Sequence, residues 1–127
     1  LERKVSQVFS EEEILPSVGQ GVIALQTRIN DIDTMNLIKK VNDIDTFHCM
    51  NAERTMLKTI EGDCNTAVAG LARIKKNFIT LKCELFSIDG KQKYFTSISD
   101  EIKNAKKIGI KAGKELIAQA GKSYKKK

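Results

Sequence analysis

The chain holds no tryptophan, one proline (Pro16) and one histidine (His48) among its 127 residues. So little proline, with only eight glycines, excludes collagen-like and low-complexity linker readings. The three cysteines, Cys49, Cys64 and Cys83, are odd in number and show no C-x-x-C spacing. That argues against both a disulfide framework and a cysteine zinc site, and it fits a reducing, cytoplasmic setting. Long apolar runs are missing too. The longest uncharged stretch, residues 14–27, is interrupted by Pro16, Ser17, Gly19 and Gly21 and cannot span a bilayer. There is no initiator methionine and no charged-then-apolar leader, so the chain is expected to be an excised fragment. What remains is 41% hydrophobic and 30% charged, enough for one globular domain or one domain plus a piece of another.

The net charge of +6 is not spread evenly. Residues 1–100 carry 13 Lys or Arg against 14 Asp or Glu, whereas residues 101–127 carry nine lysines against Glu101 and Glu115. A basic end of this kind raises a nucleic-acid reading. The terminal Lys122, Lys125, Lys126 and Lys127 read instead as a frayed, solubilising tail.

Residues 1–14 are polar, acidic around Glu11, Glu12 and Glu13, and without a period, as a connector would be. After Gly19-Gln20-Gly21 the run Val22 to Arg28 has the length and apolarity of a strand, and Asp33 is placed to cap a short helix ending at Asn42. A second helix is expected from about Asp45 to Ile60, stopped at Gly62. Its apolar arc contains Phe47, Cys49, Met50, Met56, Leu57 and Ile60, together with the charged pair Glu53 and Arg54, which is expected at the rim of the face.

Three strands should follow, over residues 67–74, 78–86 and 94–98. Asn77 would turn the first pair and Ser87-Ile88-Asp89-Gly90 the second. In the middle strand Ile79, Leu81, Cys83 and Leu85 alternate with polar positions. A closing helix from about Asp100 to Ala120 places Ile102, Ala105, Gly109, Ala112, Leu116 and Ala120 on one stripe, with Gly121 as its stop. Helix, three antiparallel strands and helix make a two-layer α+β domain with both helices on one sheet face. A strand-helix piece of another domain precedes it, which divides the chain into 1–42 and 43–127.

Few residues can carry chemistry. Cys64 sits in the loop Glu61-Gly62-Asp63-Cys64-Asn65-Thr66, where a partner can reach it. Cys49 and Cys83 fall on apolar faces and should be packed and inert. A Cys-His nucleophile pair would depend on His48, sixteen residues from Cys64 at the far end of a helix, and metal binding is no better supplied. Gly19-Gln20-Gly21 is too short for a dinucleotide fingerprint, but it permits a close backbone approach.

Taken in order, Leu15-Pro16-Ser17-Val18-Gly19-Gln20-Gly21, then Arg28, then Ala52-Glu53-Arg54 and Leu57, then Glu61-Gly62-Asp63-Cys64 resemble the C-terminal part of the porphobilinogen deaminase (hydroxymethylbilane synthase) family. The resemblance implies a three-domain transferase of haem and tetrapyrrole biosynthesis. Such an enzyme joins four porphobilinogen molecules, with loss of ammonia, into hydroxymethylbilane. It also implies a dipyrromethane cofactor held by a thioether to the position of Cys64, with Gln20 and Gly21 in the loop near that cofactor. Arg28 is then a candidate partner for pyrrole acetate and propionate groups, which suit a guanidinium fork. Residues 1–17 would close the second domain, 18–42 belong to the first, and 43–127 form the third.

Two positions depart from the family pattern, Asp63 in place of a second glycine and Thr66-Ala67-Val68 where a proline is common. A carboxylate at 63 would raise the thiol pKa of Cys64 by like-charge repulsion. The catalytic carboxylate belongs by resemblance to the missing N-terminal part. No catalytic residue is therefore assigned here, and the fragment alone is expected to be inactive. The porphobilinogen, the growing oligopyrrole and the missing domains are the expected partners, with no membrane. The competing reading is a double-stranded RNA-binding module, which shares the α-β-β-β-α order and would use the lysines of the last helix. It leaves the glycine and cysteine motifs without a role.

Overall fold

The computed structural model describes residues 4–62 and 65–125. Its element order is α1 (Ile32–Val41), α2 (Ile44–Thr59), β1 (Val68–Lys75), β2 (Phe78–Phe86), β3 (Lys93–Glu101), a 3-10 turn (Ile102–Asn104) and α3 (Ala105–Ala120). The three strands form one antiparallel meander in the order β1-β2-β3. This is the α+β architecture expected from the alternation of β2 and the periodicity of the two long helices.

Local chemistry sets the boundaries. α2 begins one residue before its expected start because Asp43 is its cap, with Oδ1 accepting the Thr46 N–H at 2.7 Å. α1 likewise starts early, capped by Asp31 through the Thr34 N–H at 3.1 Å, and the expected cap Asp33 lies in its first turn. The first hairpin turns through Lys76, held at φ +57°, and the second through Gly90 at φ +69°. In the second, Ser87 N–H donates to the Gln92 carbonyl at 3.0 Å, and Asp89 Oδ1 accepts the Ser87 hydroxyl at 2.6 Å. Those bonds let β3 run from Lys93 to Glu101, longer at both ends than the apolar pattern implied.

Ile79, Leu81, Cys83 and Leu85 are fully buried beneath α2 and α3. Each apolar side chain so placed contributes about 1.5 to 3 kcal/mol relative to exposure. The two helices approach closely because α3 has glycine where α2 comes nearest. A Cβ on Gly109 would sit 2.4 Å from the Ala52 carbonyl oxygen, and one on Gly113 would sit 2.6 Å from Thr59 Cβ. The opposite sheet face is partly covered by the N-terminal connector. Leu15 is buried with Ala69 and Leu71, Glu11 pairs with Arg73, and Glu12 lies 3.5 Å from Lys82.

Two expectations need correction. Residues 22–28 form no strand; they run without regular structure. A strand holds its shape only when a neighbour takes its N–H and C=O groups, and the sheet here consists of β1, β2 and β3. Val22, Ile23 and Leu25 are exposed, and α1 buries no residue. The C-terminal tail is also not a frayed end as far as Lys125. Tyr124 is buried in the main core and Lys125 pairs with Glu61. Lys126 and Lys127 lie outside the described residues. No helix among those described is long and apolar enough to cross a membrane.

Candidate functional site

α2 delivers the chain to the cysteine loop through a defined helix stop. Ile60 N–H donates to Met56 O, Glu61 N–H to Lys58 O at 3.1 Å and Gly62 N–H to Leu57 O at 3.0 Å, the pair of reversed bonds that closes a Schellman motif. The left-handed position in that motif is usually glycine, and here it is Glu61 at φ +53°. Gly62 packs closely on the helix: a Cβ there would lie 2.6 Å from Leu57 Cδ1, so the end of that side chain would have to move. Past the loop, Ala67 O accepts the Phe86 N–H at 2.9 Å, so the chain is tied to β2 as β1 begins. Cys64, the expected attachment residue, and its neighbour Asp63 lie outside the described residues.

The other two thiols have defined surroundings. Burial pushes the Cys83 thiol up to about 12, with the Glu53 charge adding to it. Cys49 is raised in the same direction, by burial first and by Glu53 next. Neither forms a thiolate readily at neutral pH.

Glu53 differs from its expectation at the rim. Only 5% exposed, it stands apart from the exposed Arg54 and places its carboxylate between two backbone donors. Oε1 accepts the Ala72 N–H and Oε2 the Gly19 N–H, both at 2.8 Å. Ala72 N–H points from the free edge of β1, as does Gly70 N–H, which donates to the Pro16 carbonyl at 3.0 Å. Glu53 and Pro16 thus stitch the glycine turn to the sheet edge and satisfy groups that an edge strand would leave open. A charged residue inside an apolar arc was the sequence signal, but its backbone partners are distant in sequence and could not be read from it.

The turn beside Glu53 contains Gln20 and Gly21. Gly19 and Gly21 adopt φ +77° and +80°, and a Cβ on Gly19 would lie 3.0 Å from Met50 Cε. Gln20 is exposed, its Oε1 accepting the Ser17 N–H at 3.2 Å. Arg28 is on the far side of the irregular segment, its side chain 89% exposed and 3.6 Å from Asp31 Oδ2. Glu53 therefore fixes the Gln20-Gly21 turn against β1, while Arg28 stands at the start of α1 with its head in solvent.

Residues 47–118 match the family described as porphobilinogen deaminase, C-terminal domain. Porphobilinogen deaminase of Wolbachia sp. subsp. Drosophila simulans is 38% identical over 113 residues, which cover 88% of this chain and 38% of the relative. That of Chloroherpeton thalassium is 36% identical over 110 residues, 84% of this chain and 35% of the relative. That of Ehrlichia chaffeensis is 35% identical over 121 residues, 94% and 40% respectively. The chain spans about two fifths of the length of these relatives. With a matched domain covering more than half of its residues, it belongs to the porphobilinogen deaminase family and contains that family's C-terminal domain.

Proposed function

We propose that this chain is the cofactor-anchoring part of a cytoplasmic enzyme that joins four porphobilinogen molecules into hydroxymethylbilane. In this reading residues 43–127 are the anchoring domain, and residues 1–42 link it to the first and second domains. Cys64 is the attachment point. A dipyrromethane bound there supplies the pyrrole end to which porphobilinogen units add.

The observation that carries this reading is the match of residues 47–118, Cys64 among them, to the C-terminal domain of the porphobilinogen deaminase family. The position of Cys64 in the family pattern makes it the candidate for the carbon-sulfur bond, and the raised thiol pKa of the buried Cys83 and of Cys49 disfavours either as an alternative nucleophile. The neighbouring residues serve that role without acting as acid or base. The helix stop at Ile60 to Gly62 and the Ala67 bond to β2 fix the two flanks of the loop. Glu53 holds the Gln20-Gly21 turn, which in this reading lies beside the bound pyrroles, and Arg28 offers a fork for their carboxylates once the first domain surrounds it. Acid-base catalysis and most carboxylate binding belong to the missing part of the enzyme.

The test is intact mass together with the Ehrlich colour reaction on the full-length parent. The parent should carry the mass of two pyrroles and give colour, and Cys64→Ala should fold and lack both. Pyrroles retained in Cys64→Ala would overturn the proposal.

A further inference from the structure

Both flanks of the cysteine loop are held, but by different parts of the molecule. The return flank is held by the sheet through Ala67 and Phe86. The outgoing flank, Ile60 to Gly62, is met by the C-terminal segment beyond α3. Tyr124, 6% exposed, extends its hydroxyl to within 3.4 Å of the Ile60 carbonyl. Lys125 Nζ lies 2.6 Å from Glu61 Oε2 and 5.6 Å from the Tyr124 ring centroid. The pair is mutual in its electrostatics, the Lys125 ammonium drawing the Glu61 carboxyl down and Glu61 drawing the Lys125 amine up.

The segment is itself braced. Ser123 O accepts the Ile88 N–H at 2.9 Å, and Ser123 Oγ lies 2.9 Å from Tyr94 OH. Between the brace and the loop flanks is a cleft of about 440 Å³, walled by Phe86, Ile88 and Tyr124, with Glu61 and Lys125 among its polar lining.

We propose that Tyr124 and Lys125 are positioning residues for the cysteine loop, holding Glu61 in its left-handed conformation and so fixing the direction in which the chain leaves α2. The functional meaning rests on the assignment of Cys64 as the anchor. A chain grown from one tethered atom needs that atom held in a constant place, and a non-glycine residue at positive φ persists only when its surroundings hold it. Glu61 meets that condition through the backbone bonds of the helix stop, with the Lys125 ion pair added from outside the helix. Gly121, at φ +58°, turns the chain after α3 just before this segment. Tyr124 and Lys125 follow within four residues, as a short strap requires.

The experiment is hydrogen exchange on this chain and its variants, read in the peptide spanning residues 58–67. The amides of Ile60, Glu61 and Gly62 are the reporters, since each is bonded to an α2 carbonyl. Lys125→Glu should speed their exchange about two- to fivefold, as loss and reversal of an exposed ion pair allows. Adding Tyr124→Phe should speed it further while keeping the ring in the core. Lys125→Arg should exchange like the parent. The charge exchange Glu61→Lys with Lys125→Glu should restore protection, while β2 and β3 peptides change less than about twofold throughout. Unchanged exchange at residues 58–67 in Lys125→Glu, or equal acceleration in the sheet, would overturn the proposal. This readout does not depend on the state of Cys64. Failure here leaves the anchor assignment standing, and failure of the pyrrole mass test leaves the strap standing.

Discussion

Replacing Glu53 with Gln changes almost no volume, yet it removes one of two acceptors from a site that uses both. In the parent, Oε1 and Oε2 each accept a backbone N–H at 2.8 Å, from Ala72 and Gly19. The amide of Gln has one acceptor oxygen and presents NH2 on its other side. Ala72 is 2% exposed, so its N–H cannot turn to water, whereas Gly19 lies in a half-buried turn. The Gln oxygen should therefore stay on Ala72 and release Gly19. Hydrogen bonds to charged groups contribute about 1.5 to 3 kcal/mol, and an orphaned buried donor costs about 1 to 3 kcal/mol. Glu53→Gln should thus lose about 1 to 2 kcal/mol and Glu53→Ala about 3 kcal/mol or more, since Ala strands both donors and leaves a cavity. Urea unfolding followed by circular dichroism measures the loss, and hydrogen exchange should place the Gln defect at residues 17–22. A Glu53→Gln chain within about 0.5 kcal/mol of the parent, with unchanged exchange in that turn, would refute the reasoning.

Gly109→Ala should destabilise by about 1 to 3 kcal/mol despite alanine's better helix propensity, because the new Cβ meets the Ala52 carbonyl at 2.4 Å; a more stable variant in the same urea assay would show that the helices part freely. The Cys83 thiol ionises near its ordinary value of 9.0 when unfolded but only near 12 when folded. Its contribution is whole below pH 9 and lost as pH rises toward 12, so the urea midpoint should fall above pH 9 and fall less steeply in Cys83→Ala. Iodoacetamide at pH 8 should leave Cys83 unmodified until urea is added; native labelling would contradict its burial. Residues 1–127 alone should make no hydroxymethylbilane in a turnover assay, and measurable product would place catalytic groups inside this chain.

The domain core was legible from the sequence because β2 alternates at period two and α3 has a clean stripe, two patterns fixed by one buried face each. The three strands and α2 appear within three residues of their expected limits, whereas α3 ends at Ala120 as expected but begins only at Ala105, because Asp100 and Glu101 extend β3 and Ile102–Asn104 form a 3-10 turn. The failures share a cause. Residues 22–28 are apolar enough for a strand, but strand formation depends on a neighbour the local sequence does not contain. Glu53 shows only as a charge in an apolar arc, since its partners lie 34 residues upstream and 19 downstream. Tyr124 was hidden by the lysines around it, which suggested a frayed end, although an aromatic three residues past the Gly121 stop is the kind of side chain that folds back onto a core. Cys64 was reached through the resemblance and its position in the sequence, and it lies outside the described residues.

Each cysteine falls in its own tryptic peptide: Cys49 in residues 41–54, Cys64 in residues 59–73 and Cys83 in residues 83–91. Peptide mass mapping of the active full-length enzyme therefore locates any covalently held pyrroles without mutation. The added mass of two pyrroles, and the Ehrlich colour, should appear on residues 59–73 alone and fragment to Cys64. Pyrroles on either other peptide, or an active enzyme with none on residues 59–73, would contradict the assignment of this domain as the cofactor anchor.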